Sequence, residues 1–251
     1  MANKEEFVQY SIFKSFKNLV AFTTTKQTLN VINPRFTGDS AKRYERNREL
    51  LAGKLGISSK QLVFPRQTHT NCVADISGVP ETELRETDAL ISNETGICLC
   101  VQTADCVPVL LFDPIENVIA VVHAGWRGTV HKIAENAVQK MISDYRCKAK
   151  NIIAAIGPSI GPEVYEVGNE VVQSVRNTFQ NPEKLLIQNN SGKYHFNLWE
   201  ANRQILIDNQ IEVENIEVFG ECSYSHPEKY YSARKQGSKT GRMVSGILLN
   251  P

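Results

Sequence analysis

The sequence predicts a mixed α/β (α+β) fold, built as one domain over residues 1–251. Three observations carry that expectation. Short runs of β-branched and apolar residues sit in neighbouring pairs, with "VPVLLFD" followed closely by "VIAVVHAG" as the longest. Helical patterns fall between such runs without strict alternation, which argues against a purely parallel sheet. No internal repeat and no low-complexity linker divides the chain.

The elements follow in order. Residues 6–12 and 18–25 ("NLVAFTTT") read as strands. "GDSAKRYERNRELLAGKLG" reads as a helix, capped at its start by Asp39 or Ser40 and ended by Gly56. "KQLVFPRQTH" and "TNCVADI" are strand-like, Pro65 marking a bulge or edge, and "TDALIS" and "GICLCV" are further short strands. The pair "VPVLLFD" and "VIAVVHAG" flanks the polar turn "PIEN", which makes a hairpin with a four-residue loop. In "VHKIAENAVQKMISDY" the apolar residues recur at helical spacing, from Val130 through Ile142, with Thr129 as the N-cap. "NIIAAIG" is a strand. Helices are expected near 169–179 and near 197–209, the latter capped by Asn197, and "IEVFGEC" and "MVSGILL" close the chain as strands.

Composition excludes several function classes. The net charge is +1, so electrostatics gives no case for a nucleic-acid partner. No apolar run approaches the roughly 20 residues that cross a bilayer, which argues against a membrane partner. "MANKEEFVQYSIFKSF" lacks the uninterrupted apolar segment of a signal peptide, so a cytoplasmic location is expected. The six cysteines are then expected as reduced thiols.

The hairpin raises a chemical question, because it carries Cys106 and His123 at its open end. If Pro114 to Asn117 form the loop, Asp113 pairs with Val118 and Cys106 falls opposite Gly125. Side chains alternate with period two, so His123 lies on the face of Cys106, diagonally across, at roughly 7–8 Å. A slip of one residue would separate them. A thiolate and an imidazole so placed can share a metal ion or form a nucleophile–base pair. With His69 of "RQTHT" they make one Cys and two His, which leaves a coordination position open on tetrahedral zinc. The same residues also read as a small buried thiol and a hydrogen-bonded strand-end histidine. The turn "AGWRGT" allows close approach to a ligand, and the helix after it offers free N–H groups to an anion such as phosphate; it also reads as a plain strand-to-helix turn.

Three phrases, "RQTHTNCV", "TADCVPVLLFDP" and "VVHAGWRGT", together resemble the YfiH/laccase-domain family, also called multicopper polyphenol oxidase-like. "TDALIS", "IGPSIGPEVYEVG", "ERNRELL" and "YYSARKQGSKTGR" agree, so the resemblance runs from about Gly38 to the C-terminus. It implies a CNF/YfiH-like fold, with layered mixed β-sheets flanked by helices, and relates it to a toxin domain that uses a Cys–His pair as a deamidase. It implies His69, Cys106 and His123 as metal ligands, with Zn2+ as the metal and Cu2+ as the alternative. The implied function is a zinc-dependent purine nucleoside enzyme. It would phosphorolyse adenosine, inosine and S-methyl-5'-thioadenosine to free base and the sugar 1-phosphate, and deaminate adenosine. Copper-dependent phenol oxidation is an older label for the family. The implied partners are purine nucleosides and phosphate, and the assembly a monomer or homodimer.

One phrase departs from the family pattern S-x-R-R-D-G-x-T-G-R. Gln236 stands at the acidic position, and an extra residue precedes Thr240. For phosphate we expect Arg48, with Asn47 beside it, and Arg127. Asp88 is an expected acid/base or a partner of a ligand, and Tyr165 with Glu166 is expected to line the pocket. Trp126 can stack on a base or pack the turn. Cys98 and Cys100 are expected to face the core together, His131 to face solvent, and Cys72, Cys147 and Cys222 to be structural. A metal-free hydrolase or deamidase with Cys106 as nucleophile and His123 as base stands as the rival reading. A phenol oxidase of the multicopper type needs many more histidines than five.

Overall fold

The computed structural model describes residues 6–38 and 41–250. In chain order its first elements are β1 (Phe7–Gln9), β2 (Leu19–Thr24), α1 (Ala41–Leu55), β3 (Leu62–Val63), β4 (Val73–Asp75), β5 (Ala89–Ser92) and β6 (Cys98–Thr103). The central hairpin follows as β7 (Val107–Asp113) and β8 (Val118–Ala124), then α2 (Trp126–Val130), α3 (Ile133–Tyr145) and β9 (Ile153–Ile156). The remainder comprises β10 (Glu166–Val167), α4 (Asn169–Thr178), β11 (Leu186–Gln188), β12 (Tyr194–Phe196), α5 (Leu198–Asp208), β13 (Ile216–Val218), α6 (Ala233–Gln236) and β14 (Met243–Leu249).

These strands form two mixed sheets and a small antiparallel one. The larger has the order β13-β9-β7-β8-β5-β4, the second β1-β2-β14-β6-β3, and the third β10-β12-β11. Among the described strands β13–β9, β4–β5 and β3–β6 pair in parallel, and the other strand pairs are antiparallel. The hairpin register is the one counted from its loop: Asp113 pairs with Val118 and Val107 with Ala124. Asp113 secures the loop by accepting from the Ile115 N–H at 2.8 Å and the Glu116 N–H at 3.2 Å.

Period-two alternation then sorts the hairpin's side chains into two cores. Val107, Val109 and Leu111 with Val118, Ala120 and Val122 pack against α3 and α5. Leu110 and Phe112 with Ile119 and Val121 face Leu99, Val101 and Ile247 of the second sheet. Both faces are covered, which is why the hairpin is apolar without interruption. On its far face the second sheet buries Phe22, Cys98, Cys100 and Leu248 against Leu51 and Ala52 of α1. The layers therefore run helix, sheet, sheet, helix.

Several elements differ from expectation. The helix expected from Val130 is two helices. The first starts at Trp126 behind Gly125 as N-cap, and the left-handed Lys132 (φ 60°) separates it from α3. Thr129 thus lies inside α2, buried, accepting from Asn202 Nδ2 at 3.1 Å. The expected caps Asp39 and Ser40 lie outside the described residues, whereas Gly56 ends α1 in the left-handed region (φ 71°) and Asn197 caps α5 through the Glu200 N–H. The first expected strand shortens to β1 and gives way to a 3-10 turn at Ser11–Phe13. The sheet β10-β12-β11 was not expected; its strands span two or three residues, too short for a periodic pattern.

Candidate metal centre

His123 and Asp88 are neighbours on adjacent strands. The register places Ala89 opposite Val122, so Asp88 lies opposite His123, and the His123 N–H donates to the Asp88 carbonyl at 2.7 Å. Cys106, two residues before Pro108, shares their face, since Pro108 pairs with His123. All three side chains project at the open end of the layer between the two large sheets. His69 arrives from the turn before β4 and adopts the left-handed region (φ 64°).

One carboxylate holds that turn and that imidazole together. Asp88 is fully buried. It accepts from the backbone N–H groups of Thr68 (3.1 Å), His69 (3.1 Å) and Thr70 (2.8 Å), from the Thr70 hydroxyl (2.8 Å) and from His123 Nδ1 (2.7 Å). A carboxylate on Nδ1 keeps the proton there, so Nε2 of His123 is the free donor atom.

The ligand atoms of His69, Cys106 and His123 lie within 4.8 Å of one another, and Cys106 Sγ is 3.9 Å from His69 Nε2. The imidazole rings are 4.9 Å apart at 71°. Tetrahedral zinc separates its N and S ligands by about 3.3–3.6 Å, so modest side-chain rotation closes the set. Gly125 permits this convergence: a Cβ there would sit 3.0 Å from Cys106 Sγ and 3.1 Å from His69 Cδ2. His123 is buried, Cys106 half-buried and His69 exposed, so the group opens to solvent on one side. One thiolate and two imidazoles fit a transition metal with an open position.

The electrostatics suits ligation. Burial opposes ionisation of Cys106, yet the charges and hydrogen bonds of His123 and His69 outweigh it and bring the thiol to about 6. Burial likewise opposes protonation of His123, but Cys106 and Asp88 together raise it to about 9. For Asp88 burial acts upward, and the His123 and Thr70 hydrogen bonds pull it down to about 2.

The other expected residues fall into two sets: Tyr165 feels the Cys106 charge, whereas Asn47, Arg48 and Glu166 have their partners elsewhere. Tyr165 is buried; burial and then the Cys106 charge push its hydroxyl well above the ordinary range. The Arg234 guanidinium lies 5.1 Å from the Tyr165 ring centre. Arg127 is exposed, with its guanidinium 4.2 Å over the Trp126 ring and 3.8 Å from Glu170. Asn47 and Arg48 direct their hydrogen bonds elsewhere, to the carbonyls of Arg35 (2.9 Å) and Phe36 (2.8 Å). Glu166 pairs with Lys193 at 2.7 Å.

Sequence reasoning missed Asp105. Its backbone is left-handed (φ 93°), and its buried carboxylate accepts from the Ser223 hydroxyl and the Arg234 N–H, each at 2.7 Å. It thereby fixes the turn carrying Cys106 to α6; adjacency to Cys106 was its only signal in the sequence. The departing residue Gln236 is spent within its own loop, accepting from the Ser232 N–H and the Thr240 hydroxyl. Cys98 and Cys100 share a buried face with their sulfurs 3.6 Å apart, as expected. Cys72, expected to be structural, is exposed. Among the described residues no helix is long and apolar enough to cross a membrane.

The chain is similar to known proteins along nearly its whole length. A family model described as multi-copper polyphenol oxidoreductase laccase matches residues 23–250. A purine nucleoside phosphorylase of Bacteroides thetaiotaomicron is 36% identical, over 96% of this chain and 95% of its own. Adenosine deaminase RL5, from an unknown prokaryotic organism, is also 36% identical, over 96% of this chain and 98% of its own. Among solved structures, the YfiH hypothetical protein of Bacillus licheniformis superposes with a TM-score of 0.90 at 29% identity, covering 99% of this chain and 98% of that one. YlmD from Geobacillus stearothermophilus gives 0.87 at 28%, covering 98% and 100%. A match across nearly the whole chain, on a fold shared with YfiH and YlmD, establishes that the protein belongs to the multi-copper polyphenol oxidoreductase laccase family.

Proposed function

We propose that the protein is a zinc-dependent purine nucleoside phosphorylase that also deaminates adenosine. Its substrates would be adenosine, inosine and S-methyl-5'-thioadenosine, with phosphate as the second partner. The observation that carries this reading is the three-donor group of His69, Cys106 and His123, open to solvent on one side, in a chain whose relatives are named for these two activities. Zinc held there would supply Lewis acidity toward a water or a substrate heteroatom.

The chain's own residues have separable tasks. Asp88 holds the proton on His123 Nδ1 and, through the N–H groups of Thr68 to Thr70, fixes the backbone of His69. Asp105 positions Cys106. Tyr165 and Arg127 line the nucleoside side, and Tyr165, kept protonated, is a proton donor on that wall. Asn47 and Arg48 act as positioning residues through the backbone they hold. In phosphorolysis a phosphate oxygen forms the bond to C1' of the sugar as the C1'–N9 bond breaks. The electron pair leaves with the purine, and the proton lost by the hydrogen phosphate dianion ends on the purine nitrogen. In deamination a water oxygen bonds to C6 as the C6–N bond breaks; one proton of that water leaves with the amino group as ammonia and the other ends on N1 of the 6-oxopurine.

A second reading draws on the same triad. A thiolate at Cys106, an imidazolium at His123 and a carboxylate at Asp88 form the arrangement of a metal-free cysteine hydrolase or deamidase. Chelation separates the two. Metal-stripped protein, assayed with adenosine in phosphate buffer, is expected to lose both adenine and inosine formation and to regain them with zinc. Copper in its place, without zinc, would make zinc the wrong metal. Activity that survives chelation but dies on thiol alkylation would replace the proposal with the second reading.

A further inference from the structure

Among the described residues, Arg35 and Arg242 are adjacent guanidinium groups without an acidic partner. Arg35 lies in the loop before α1, Arg242 directly before β14, and both are half-buried. Arg35 Nη2 donates to the Ser238 carbonyl at 2.6 Å and to that of Thr240 at 3.3 Å. Arg242 donates to the carbonyls of Thr240 (2.8 Å), Gly241 (2.9 Å) and Ser238 (3.2 Å). The two cations thus share two acceptors. Among the described residues neither forms an ion pair with a carboxylate, unlike Arg66, Arg85, Arg127, Arg176 and Arg203.

Adjacent like charges withdrawn from water are costly unless a counter-charge joins them. Arg242 carries that mark. Burial and then Arg35 hold it below the ordinary arginine range, while Cys106 and Asp105 act in the opposite direction. The pair is also tied to the metal centre. The Phe36 N–H donates to Gln102 Oε1, and Gln102 exchanges two backbone–amide hydrogen bonds with Gln67, two residues before His69. On the other flank Asn33 and Pro34 accept from the N–H groups of Gly241 and Arg242. Asn47 and Arg48 clamp the carbonyls of Arg35 and Phe36 from α1.

We propose that Arg35 and Arg242 together seat the inorganic phosphate that attacks the nucleoside, with Asn47 and Arg48 as positioning residues. The inference rests on the phosphorolysis reading above. A hydrogen phosphate dianion neutralises both cations, and two planar forks of N–H donors suit its oxygens.

Two measurements test it. The first is thermal stabilisation by inorganic phosphate, which needs no turnover. Wild type and Arg176→Gln, a surface control, should be stabilised, whereas Arg35→Gln and Arg242→Gln should lose the shift. The second is kinetic: in Arg35→Gln the phosphate KM should rise at least about tenfold while the adenosine KM changes less than about twofold. If Arg242→Gln fails to fold, Arg35→Gln, whose main chain is clamped by Asn47, carries both tests. A phosphate shift lost in the variants of a protein without nucleoside turnover would keep the anion seat and sink phosphorolysis. An unchanged shift and phosphate KM in both variants, with wild-type phosphorolysis intact, would overturn the seat alone.

Discussion

At the scale of single residues, the account turns on groups that touch no substrate. Asp88 accepts five hydrogen bonds and carries a charge inside the protein. Asp88→Asn keeps the shape but faces backbone N–H donors with an amide, and breaking such a buried pair costs about 3–5 kcal/mol. Loss of the carboxylate behind a ligating imidazole should also weaken metal binding by about 10–100-fold, read by competition with a chromogenic chelator. The pH dependence has a defined sign. The folded carboxyl is held at about 2, below its ordinary 3.8, so its stabilisation is present above 3.8 and disappears as pH falls through 2. Urea midpoints of metal-free wild type and Asp88→Asn should therefore converge on acidification across that window; a constant gap would contradict the assignment. Gly125 makes a second residue-scale test. Gly125→Ala places a methyl 3.0 Å from the thiol, and we expect zinc stoichiometry and activity to collapse, with about 1–3 kcal/mol lost by overpacking.

At the scale of elements, the hairpin β7–β8 does most of the positioning. Its loop sets the register, its alternation sends Cys106 and His123 to one face, and β5 delivers Asp88 opposite His123. This was legible because period-two alternation over seven paired residues leaves little freedom. The helix after it was legible only in outline. The apolar stripe from Val130 gives no sign of a left-handed break at Lys132, so the true start at Trp126 was missed. The Asp105 contact was hidden for another reason: Ser223 and Arg234 lie more than a hundred residues away, and no local pattern records a pairing made by tertiary packing. Asp105→Ala strands those two donors and removes a residue that tolerates a positive φ. About 1–3 kcal/mol should be lost in urea unfolding, together with ordered attachment of α6, visible as faster amide exchange at Arg234.

At the scale of the whole molecule, stacking two sheets between helices creates one apolar layer with an open end, and the chemistry sits at that end. The alternating strands announced the layers, since the hairpin is apolar on both faces and the second sheet carries Cys98 and Cys100 toward α1. The three donor atoms come from sites as far apart as residues 69 and 123; strand pairing brings two of them together, and His69 entered as a candidate on residue type, at the end of an earlier strand-like run, with no pairing in the sequence to place it. Arg35 escaped both routes, because nothing in "NPRFTG" distinguishes it from any exposed arginine. Arg242 stood within a quoted phrase yet gained meaning only when its loop closed against that of Arg35.

The central claim is that nucleoside turnover occurs at the Cys106 group. The most direct measurement incubates wild type and identically purified Cys106→Ala with adenosine, with and without phosphate, and separates adenine, inosine and hypoxanthine. The account predicts phosphate-dependent adenine, accompanied by inosine, from wild type alone. Equal product from both proteins, or none from zinc-loaded wild type, would contradict it.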